Sequence, residues 1–127
     1  MPMDPRELTI AFNEHINSRD LGGLAGLMTD DHAFIDSAES TIRGKAACVD
    51  AWRGFFASFP DYRNVFDRLV VRNDHVIVVG RSTCSDERLA GPALWLAKTR
   101  NDKVAEWRVY DDTPKNRRML GIAAASE

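Results

Sequence analysis

Apolar residues recur at every third or fourth position in the first half of the chain and alternate with polar residues in the second half. The first spacing is typical of helices that bury one face, and the second is typical of strands in a partly covered sheet. The pattern predicts three helices, over residues 5–18, 21–28 and 45–59. Asp4 and Asp20 precede the first two helices as N-cap residues, and Pro60 ends the third.

The alternating half of the chain is predicted to form two hairpins. Their strands are expected over residues 62–72, 75–84, 93–99 and 103–112. A two-residue turn at 73–74 joins the first pair of strands. This turn places Leu69 opposite Val78 and places Phe66 on the other face of the sheet.

The second hairpin turns around residues 101–102, and its register stays open at this stage. A three-residue loop would place Trp95 opposite Trp107, so that both side chains could stack in a cavity. A two-residue loop would instead place Leu96 opposite Trp107. Aromatic side chains on an inner face suit a flat apolar ligand, but they also suit an ordinary core.

Helices followed by hairpin-linked strands indicate an α+β fold. We predict one domain over residues 1–127, in which a cone-shaped, curved antiparallel sheet wraps around the N-terminal helices. A last short helix is expected to begin at 113–114 and to end at Gly121. The ends of the chain, residues 1–4 and 122–127, are expected to be flexible.

Composition and charge narrow the function classes. The net charge is −2, which gives no electrostatic reason to expect binding to nucleic acid or to an anionic membrane. No apolar run approaches the roughly 18 residues of a membrane span, and no signal peptide is evident. Cys48 and Cys84 are predicted to be unpaired thiols in a reducing cytoplasm. The three histidines lack metal-site spacing, and no glycine-rich phosphate loop is present, so we expect neither a metal nor a cofactor.

A short strand over residues 32–36 carries the most informative polar group. Alternation puts His32, Phe34 and Asp36 on one face. Because Phe34 belongs in a core, Asp36 is expected at the edge of that core, where a carboxylate needs a partner, solvent or a function. Asp36 is therefore either a catalytic base or a carboxylate that caps a turn. Residues 37–44 after it are predicted to be irregular.

Three other polar residues are candidates for the same site. By alternation Asp111 shares a face with Trp107 and could approach Asp36, which would separate the pKa values of the two carboxyl groups. Alternatively, Asp111 caps the last helix. His32 could orient Asp36, or it could be a solvated edge residue. Arg81 could bind an anionic group of a ligand, or it could form a surface ion pair.

We expect the pocket to be mainly apolar. Its predicted wall consists of Phe12, Phe34, Trp52, Phe56, Trp95, Trp107 and Val109, with Arg81 as a polar contact.

Several short motifs resemble the nuclear transport factor 2-like superfamily, in particular its SnoaL-like and ketosteroid-isomerase-like branches. The matching stretches are NSRDL at 17–21, LMTDDH at 27–32, IRGK at 42–45, FPDYR at 59–63 and KVAEWRVYDD at 103–112. The resemblance implies a cystatin-like cone closed by helices, with one apolar pocket and a homodimer formed through the outer sheet face. The implied ligand is a small apolar or aromatic organic molecule.

The resemblance also implies roles for individual positions. Asp36 falls where the steroid isomerases keep their general base. Phe12, together with 93–94 (Ala-Leu), stands where their two oxyanion donors would be, so steroid isomerase activity is not expected. Val109 stands where limonene epoxide hydrolases would have a catalytic aspartate. Asp111, or else its neighbour Asp112, matches the acid/base of the SnoaL-like polyketide cyclases.

Two functions follow from this sequence. One is a cofactor-free isomerase or cyclase that transfers a proton next to a carbonyl, with Asp36 as the base, Asp111 as a second acid/base and His32 beside them. The other is a non-catalytic ligand-binding or dimeric assembly domain of the same fold.

Overall fold

The computed structural model describes residues 3–122. Four helices and six strands form the fold. The helices are α1 Pro5–Asn17, α2 Leu21–Leu27, α3 Lys45–Ser58 and α4 Pro114–Leu120. The strands are β1 Met28–Ile35, β2 Thr41–Arg43, β3 Arg63–Arg72, β4 His75–Thr83, β5 Gly91–Arg100 and β6 Lys103–Asp111, and a short 3₁₀ turn spans Glu87–Leu89. Within the described residues, no helix is long and apolar enough to cross a bilayer.

One curved, unclosed sheet contains all six strands, in the order β2-β1-β6-β5-β4-β3. The predicted α+β cone is therefore confirmed. The prediction that the sheet is antiparallel is wrong at one place, because β1 and β6 run parallel, with Phe34 beside Trp107. These two strands are far apart in sequence, and no hairpin turn sets their relative direction. The expected irregular segment 37–44 is also corrected, since β2 forms within it and pairs with β1.

Local sequence signals account for the helix boundaries. Asp4 Oδ1 accepts a hydrogen bond from the Glu7 N–H at 2.8 Å, and Asp20 Oδ1 accepts one from the Gly23 N–H at 2.9 Å. Both N-cap predictions are confirmed, because these carboxylates satisfy backbone donors that have no partner inside their helices. Gly121 ends α4 with φ of +74°, a left-handed conformation that glycine adopts at low cost.

The β3–β4 hairpin has the predicted register around its turn, with Leu69 opposite Val78. A bulge next to Phe66 then shifts the pairing, so Phe66 packs on the same inner core as Leu69, and its predicted placement on the opposite face is wrong. Gly80 pairs with Phe66 at this point, and a Cβ on Gly80 would lie 2.1 Å from the Val65 carbonyl oxygen. The absent side chain therefore allows the two strands to approach closely where the sheet bends.

Neither register considered for the β5–β6 hairpin is observed. Arg100 pairs with Lys103 across a two-residue turn, but the pairing shifts by one residue between Lys98 and Thr99. As a result Ala97, not Leu96 or Trp95, lies opposite Trp107. Trp95 pairs with Val109, so the side chains of Trp95 and Trp107 lie on the same inner face.

The sheet carries apolar residues on both faces. The inner face packs against α1, α2 and α3 and forms the main core. The outer face carries a smaller cluster around Ile77 and Leu94, which Ile122 joins from beyond α4. At the two ends of the described chain, Met3 packs on the main core, Asp4 caps α1 and Ile122 is buried, and the expectation that the ends are flexible stays a prediction. Residues 1–2 and 123–127, which share that expectation, lie outside the described part of the chain.

Candidate functional site

A cavity of about 460 Å³ lies between α3 and the inner face of the sheet. It is open on one side. Its apolar wall is formed by Phe34, Ala38, Ile42, Ala51, Trp52, Phe55, Leu89, Trp95, Trp107 and Val109. Its polar residues are Asp36, Ser37, Cys48 and Tyr62. A mainly apolar concave surface with a few polar groups is typical of a site for a small organic molecule.

All three tryptophans of the chain line this cavity. Trp52 is held edge-on by Phe34, with ring centroids 5.5 Å apart, and it also packs on Phe55. The indole N–H groups of Trp52 and Trp95 are buried without a hydrogen-bond partner among residues 3–122. Five predicted wall residues line the cavity, namely Phe34, Trp52, Trp95, Trp107 and Val109.

Three predicted wall residues lie elsewhere. Phe12 is fully buried behind the wall and packs on Trp107, with ring centroids 4.7 Å apart. Phe56 is likewise buried and packs on Trp52. Arg81 lies on the outer face of β4 and pairs with Asp67, with an N–O distance of 3.2 Å and both side chains about half exposed. The alternative interpretation of Arg81, a surface ion pair, is the correct one.

Asp36 directly follows β1 and lies at the mouth of the cavity. Its Oδ1 accepts hydrogen bonds from the backbone N–H groups of Ala38 at 2.9 Å and Ser40 at 3.0 Å. The carboxylate therefore stabilises the turn from β1 to β2. Its Oδ2 accepts no hydrogen bond from the described residues. Asp36 thus has the predicted turn role and also borders the cavity, and its role as a catalytic base stays a prediction.

The expected meeting of two carboxylates at the cavity is not observed. Asp111 ends β6 opposite Ala93, its side chain is exposed, and it does not line the cavity. Asp112 instead pairs with the buried Arg117 of α4 through N–O distances of 2.6 and 2.9 Å. The Arg117 guanidinium lowers the pKa of the Asp112 carboxyl. The side chains of β6 alternate between the two sheet faces as predicted, but Asp111 lies beyond the part of the inner face that the helices cover.

His32 lies on the same face as Phe34, as predicted, but it is fully buried. Its Nδ1 lies 2.7 Å from the Val104 carbonyl oxygen, which can only accept, so Nδ1 carries the proton. Its Nε2 has no partner among the described residues, and its ring stacks on Phe12. Burial lowers the pKa of His32. Neither the orienting pair with Asp36 nor the solvated edge position is observed, because α1 covers this part of β1.

Three polar residues of the cavity, Ser37, Cys48 and Tyr62, were not identified from the sequence as site residues. Cys48 was predicted only to be an unpaired thiol. Its buried thiol donates to the carbonyl oxygens of His32 and Ile42, and burial raises its pKa. Tyr62 precedes β3, and its hydroxyl lies 3.1 Å from Ser82 Oγ. The sequence placed Tyr62 only at the start of a predicted strand, whereas it lies in the short connection between α3 and β3.

Among the described residues, no three His, Cys, Asp or Glu side chains lie close enough together to hold a metal ion.

The fold is shared with solved structures at low sequence identity. A protein from Shewanella putrefaciens assigned to the SnoaL-like polyketide cyclases has 17% identity and a TM-score of 0.76, covering 95% of this chain and 87% of that one. An LEH-like epoxide hydrolase from M. tuberculosis has 16% identity and a TM-score of 0.72, covering 83% and 80%. A ketosteroid isomerase-like protein from Catenulispora acidiphila, in complex with trimethylamine, has 16% identity and a TM-score of 0.69, covering 92% and 94%.

Sequence comparison gives the family directly. No curated protein matches the chain. The model of the SnoaL-like domain matches residues 9–113, which include all six strands and α1 from Thr9 onward. The match confirms the resemblance that the short motifs carried. The chain therefore belongs to the SnoaL-like domain family, within the nuclear transport factor 2-like superfamily.

Proposed function

We propose that this protein binds a small, largely apolar organic molecule in the cavity between α3 and the sheet. The single observation that carries the proposal is the cavity of about 460 Å³ itself, which is enclosed by three tryptophans and further apolar side chains. Transfer of an apolar ligand from water into such a site is favourable in proportion to the area buried. The neighbouring C. acidiphila structure, which holds trimethylamine, supports a ligand-binding role for the fold.

A cavity-filling variant tests the proposal. We expect 2-methoxynaphthalene, a bicyclic apolar probe, to raise the melting temperature of the protein, because it binds only the folded state. Ala51 lines the cavity, so Ala51→Leu should lower the affinity for this probe by about tenfold or more, or about 1.4 kcal/mol. Ala57→Leu is the matched control, because Ala57 lies on the same helix but is exposed. Equal binding by both variants would contradict the proposal, as would the absence of binding to the parent protein by both this probe and its hydroxyl analogue 2-naphthol.

A second candidate function is proton transfer next to a carbonyl, with Asp36 as the base. Its support is that Asp36 borders the cavity and has one oxygen held by two backbone N–H groups while Oδ2 accepts no hydrogen bond from the described residues. The cyclase and epoxide hydrolase among the structural neighbours support an enzymatic role for this fold. Against it, the position of Phe12 holds no hydrogen-bond donor for a developing enolate.

Hydrogen exchange into a ketone separates the two functions. If Asp36 is a base, the protein should accelerate exchange of the α-hydrogens of 2-tetralone in D₂O, followed by NMR. Asp36→Asn should reduce that acceleration by about 10²–10⁴-fold, and its amide oxygen can still accept the turn hydrogen bonds. Asp67→Asn, on the outer face, should have no effect. Full exchange activity in Asp36→Asn would exclude the catalytic proposal and leave the binding proposal intact.

We also propose that the protein forms a homodimer through the outer sheet face. Half-buried apolar residues on that face support this, including Val70, Val79 and Tyr110. Analytical ultracentrifugation should give twice the chain mass, and Val79→Glu should give the monomer mass. We further propose a cytoplasmic location, which the two unpaired cysteines support.

A further inference from the structure

Tyr62 belongs to a chain of polar side chains that runs from the cavity to α1. The hydroxyl of Tyr62 lies 3.1 Å from Ser82 Oγ, and Ser82 Oγ lies 2.8 Å from Asn64 Oδ1. Asn64 continues the chain to Asn13 of α1 at 3.1 Å. Asn13, Asn64 and Ser82 are each at least nine-tenths buried, so their proton positions are set by one another and not by water.

Backbone groups fix the direction of every proton in this chain. The Asn64 carbonyl can only accept, so Asn13 presents its amide nitrogen to it at 3.3 Å and its amide oxygen to Asn64 Nδ2. Asn64 must therefore present its own amide oxygen to Ser82. The Ser82 hydroxyl has one proton, and that proton is donated to Asn64 Oδ1.

The remaining position in the chain is Tyr62. Because the Ser82 proton is already used, Ser82 Oγ can only accept from the Tyr62 hydroxyl. Tyr62 donates its one proton to Ser82, so the Tyr62 oxygen can only accept any further hydrogen bond. Burial raises the pKa of Tyr62, although interactions with Ser82 and Asn64 oppose the rise, so the hydroxyl keeps its proton at neutral pH.

We infer that Tyr62 is a hydrogen-bond acceptor for the ligand, so the cavity selects apolar molecules that carry an O–H or N–H donor. This inference rests on the proposed binding function and specifies its substrate class. A phenol or an aromatic amine fits the requirement. An ether or a ketone at the same point would face the lone pairs of Tyr62 without a proton between the two oxygens, which is unfavourable.

Two matched probes test the inference, since 2-naphthol and 2-methoxynaphthalene differ in the proton on one oxygen. Calorimetric titration gives Kd for both with the parent protein, with Tyr62→Phe, and with Phe55→Leu as a control on the same wall. We expect the preference for 2-naphthol to fall roughly fivefold in Tyr62→Phe, with little change in the affinity for 2-methoxynaphthalene. The preference should persist in Phe55→Leu. An unchanged preference in Tyr62→Phe would overturn the inference.

A measurement on the parent protein does not depend on how well the variant folds. In NMR spectra of the complex, ring protons of 2-naphthol that flank its hydroxyl should show nuclear Overhauser contacts to the ring of Tyr62. Bound 2-naphthol without these contacts would also overturn the inference. If neither probe binds to the parent protein, the proposed binding function itself fails, which is a different outcome from binding without a preference.

Discussion

The two ends of the β1–β6 pair differ although they belong to the same strands and the same sheet face. At the beginning of these strands Met28 pairs with Val104, and both are completely buried beneath α1 and α2. At the other end Phe34 and Val109 are only half buried and border the cavity. The difference follows from helix coverage, because α1 and α2 fill the first end whereas α3 leaves a void over the second. The closed end is a packed core, and the open end borders the cavity.

Polar groups follow the same division. At the closed end His32 is held neutral in the core, with its Nε2 lacking a partner among the described residues. At the open end the oxygens of Asp36 and Tyr62 are held by a turn and by the chain through Ser82. A rigid polar group beside a void can contact a ligand, whereas a rigid polar group inside a core can only affect folding.

The largest expected effect is the contrast between two phenylalanines. Phe12→Ala should destabilise the protein by about 3–5 kcal/mol, because Phe12 is fully buried against Trp107 and its removal leaves a hole. Phe34→Ala should cost only about 1–2 kcal/mol, since Phe34 already borders a void. Chemical denaturation measures both values. Equal losses would show that the open end is packed as tightly as the closed end.

The next effect is the pH dependence caused by His32. Because burial lowers its folded pKa below the usual value near 6.5, the unfolded chain binds the proton more readily. Stability should therefore be complete above about pH 6.5 and should fall below it by up to about 1.4 kcal/mol per pH unit, until the folded pKa is reached. In His32→Asn, whose amide can still donate to Val104, this slope should be absent from denaturation curves between about pH 6.5 and pH 5.

His75→Asn is the control for that slope. His75 lies beside Asp74 at the turn between β3 and β4 and is partly exposed. Its replacement should not remove the loss of stability that is assigned to protonation of His32. If His75→Asn removed the slope and His32→Asn did not, the closed end would not be the source of the acid sensitivity.

The smallest effect is expected on the outer face. Arg81→Ala breaks an ion pair with Asp67 in which both side chains are about half exposed, so it should change stability by less than about 1 kcal/mol. It should also leave the affinity for 2-methoxynaphthalene unchanged, because Arg81 does not line the cavity. A calorimetric titration that showed weaker binding would place Arg81 in the site after all.

The fold was largely predictable because its signals are local. Asp4, Asp20 and Gly121 each act within a few residues, and a two-residue turn sets the β3–β4 register near residues 69 and 78. What could not be predicted is non-local or depends on one inserted residue. The parallel pairing of β1 with β6 has no connecting turn to indicate it. The register shift between Lys98 and Thr99 places Trp107 opposite Ala97, and no glycine or proline marks it.

For the candidate site, the sequence predicted which sheet face each side chain takes but not how deeply that side chain is buried. Alternation correctly put His32, Phe34 and Asp36 on one face, but it does not say how far the covering helices extend along that face. Coverage makes His32 a core residue and places Asp36 at the mouth. On β6, too, alternation does not show where the helix coverage ends, and Asp111 lies exposed beyond it. Tyr62 could not be identified, because its role depends on Ser82 and Asn64 from two different strands.

The parallel β1–β6 pair has a consequence for biosynthesis. The strand β6 is synthesised after the other five strands, so β1 has only the three-residue β2 beside it until β6 emerges from the ribosome. Pairings between distant parts of a chain form slowly, and unpaired strand edges favour aggregation meanwhile. A nascent chain of this protein should therefore depend on holding chaperones until β6 emerges, and truncation before residue 103 should yield an insoluble product.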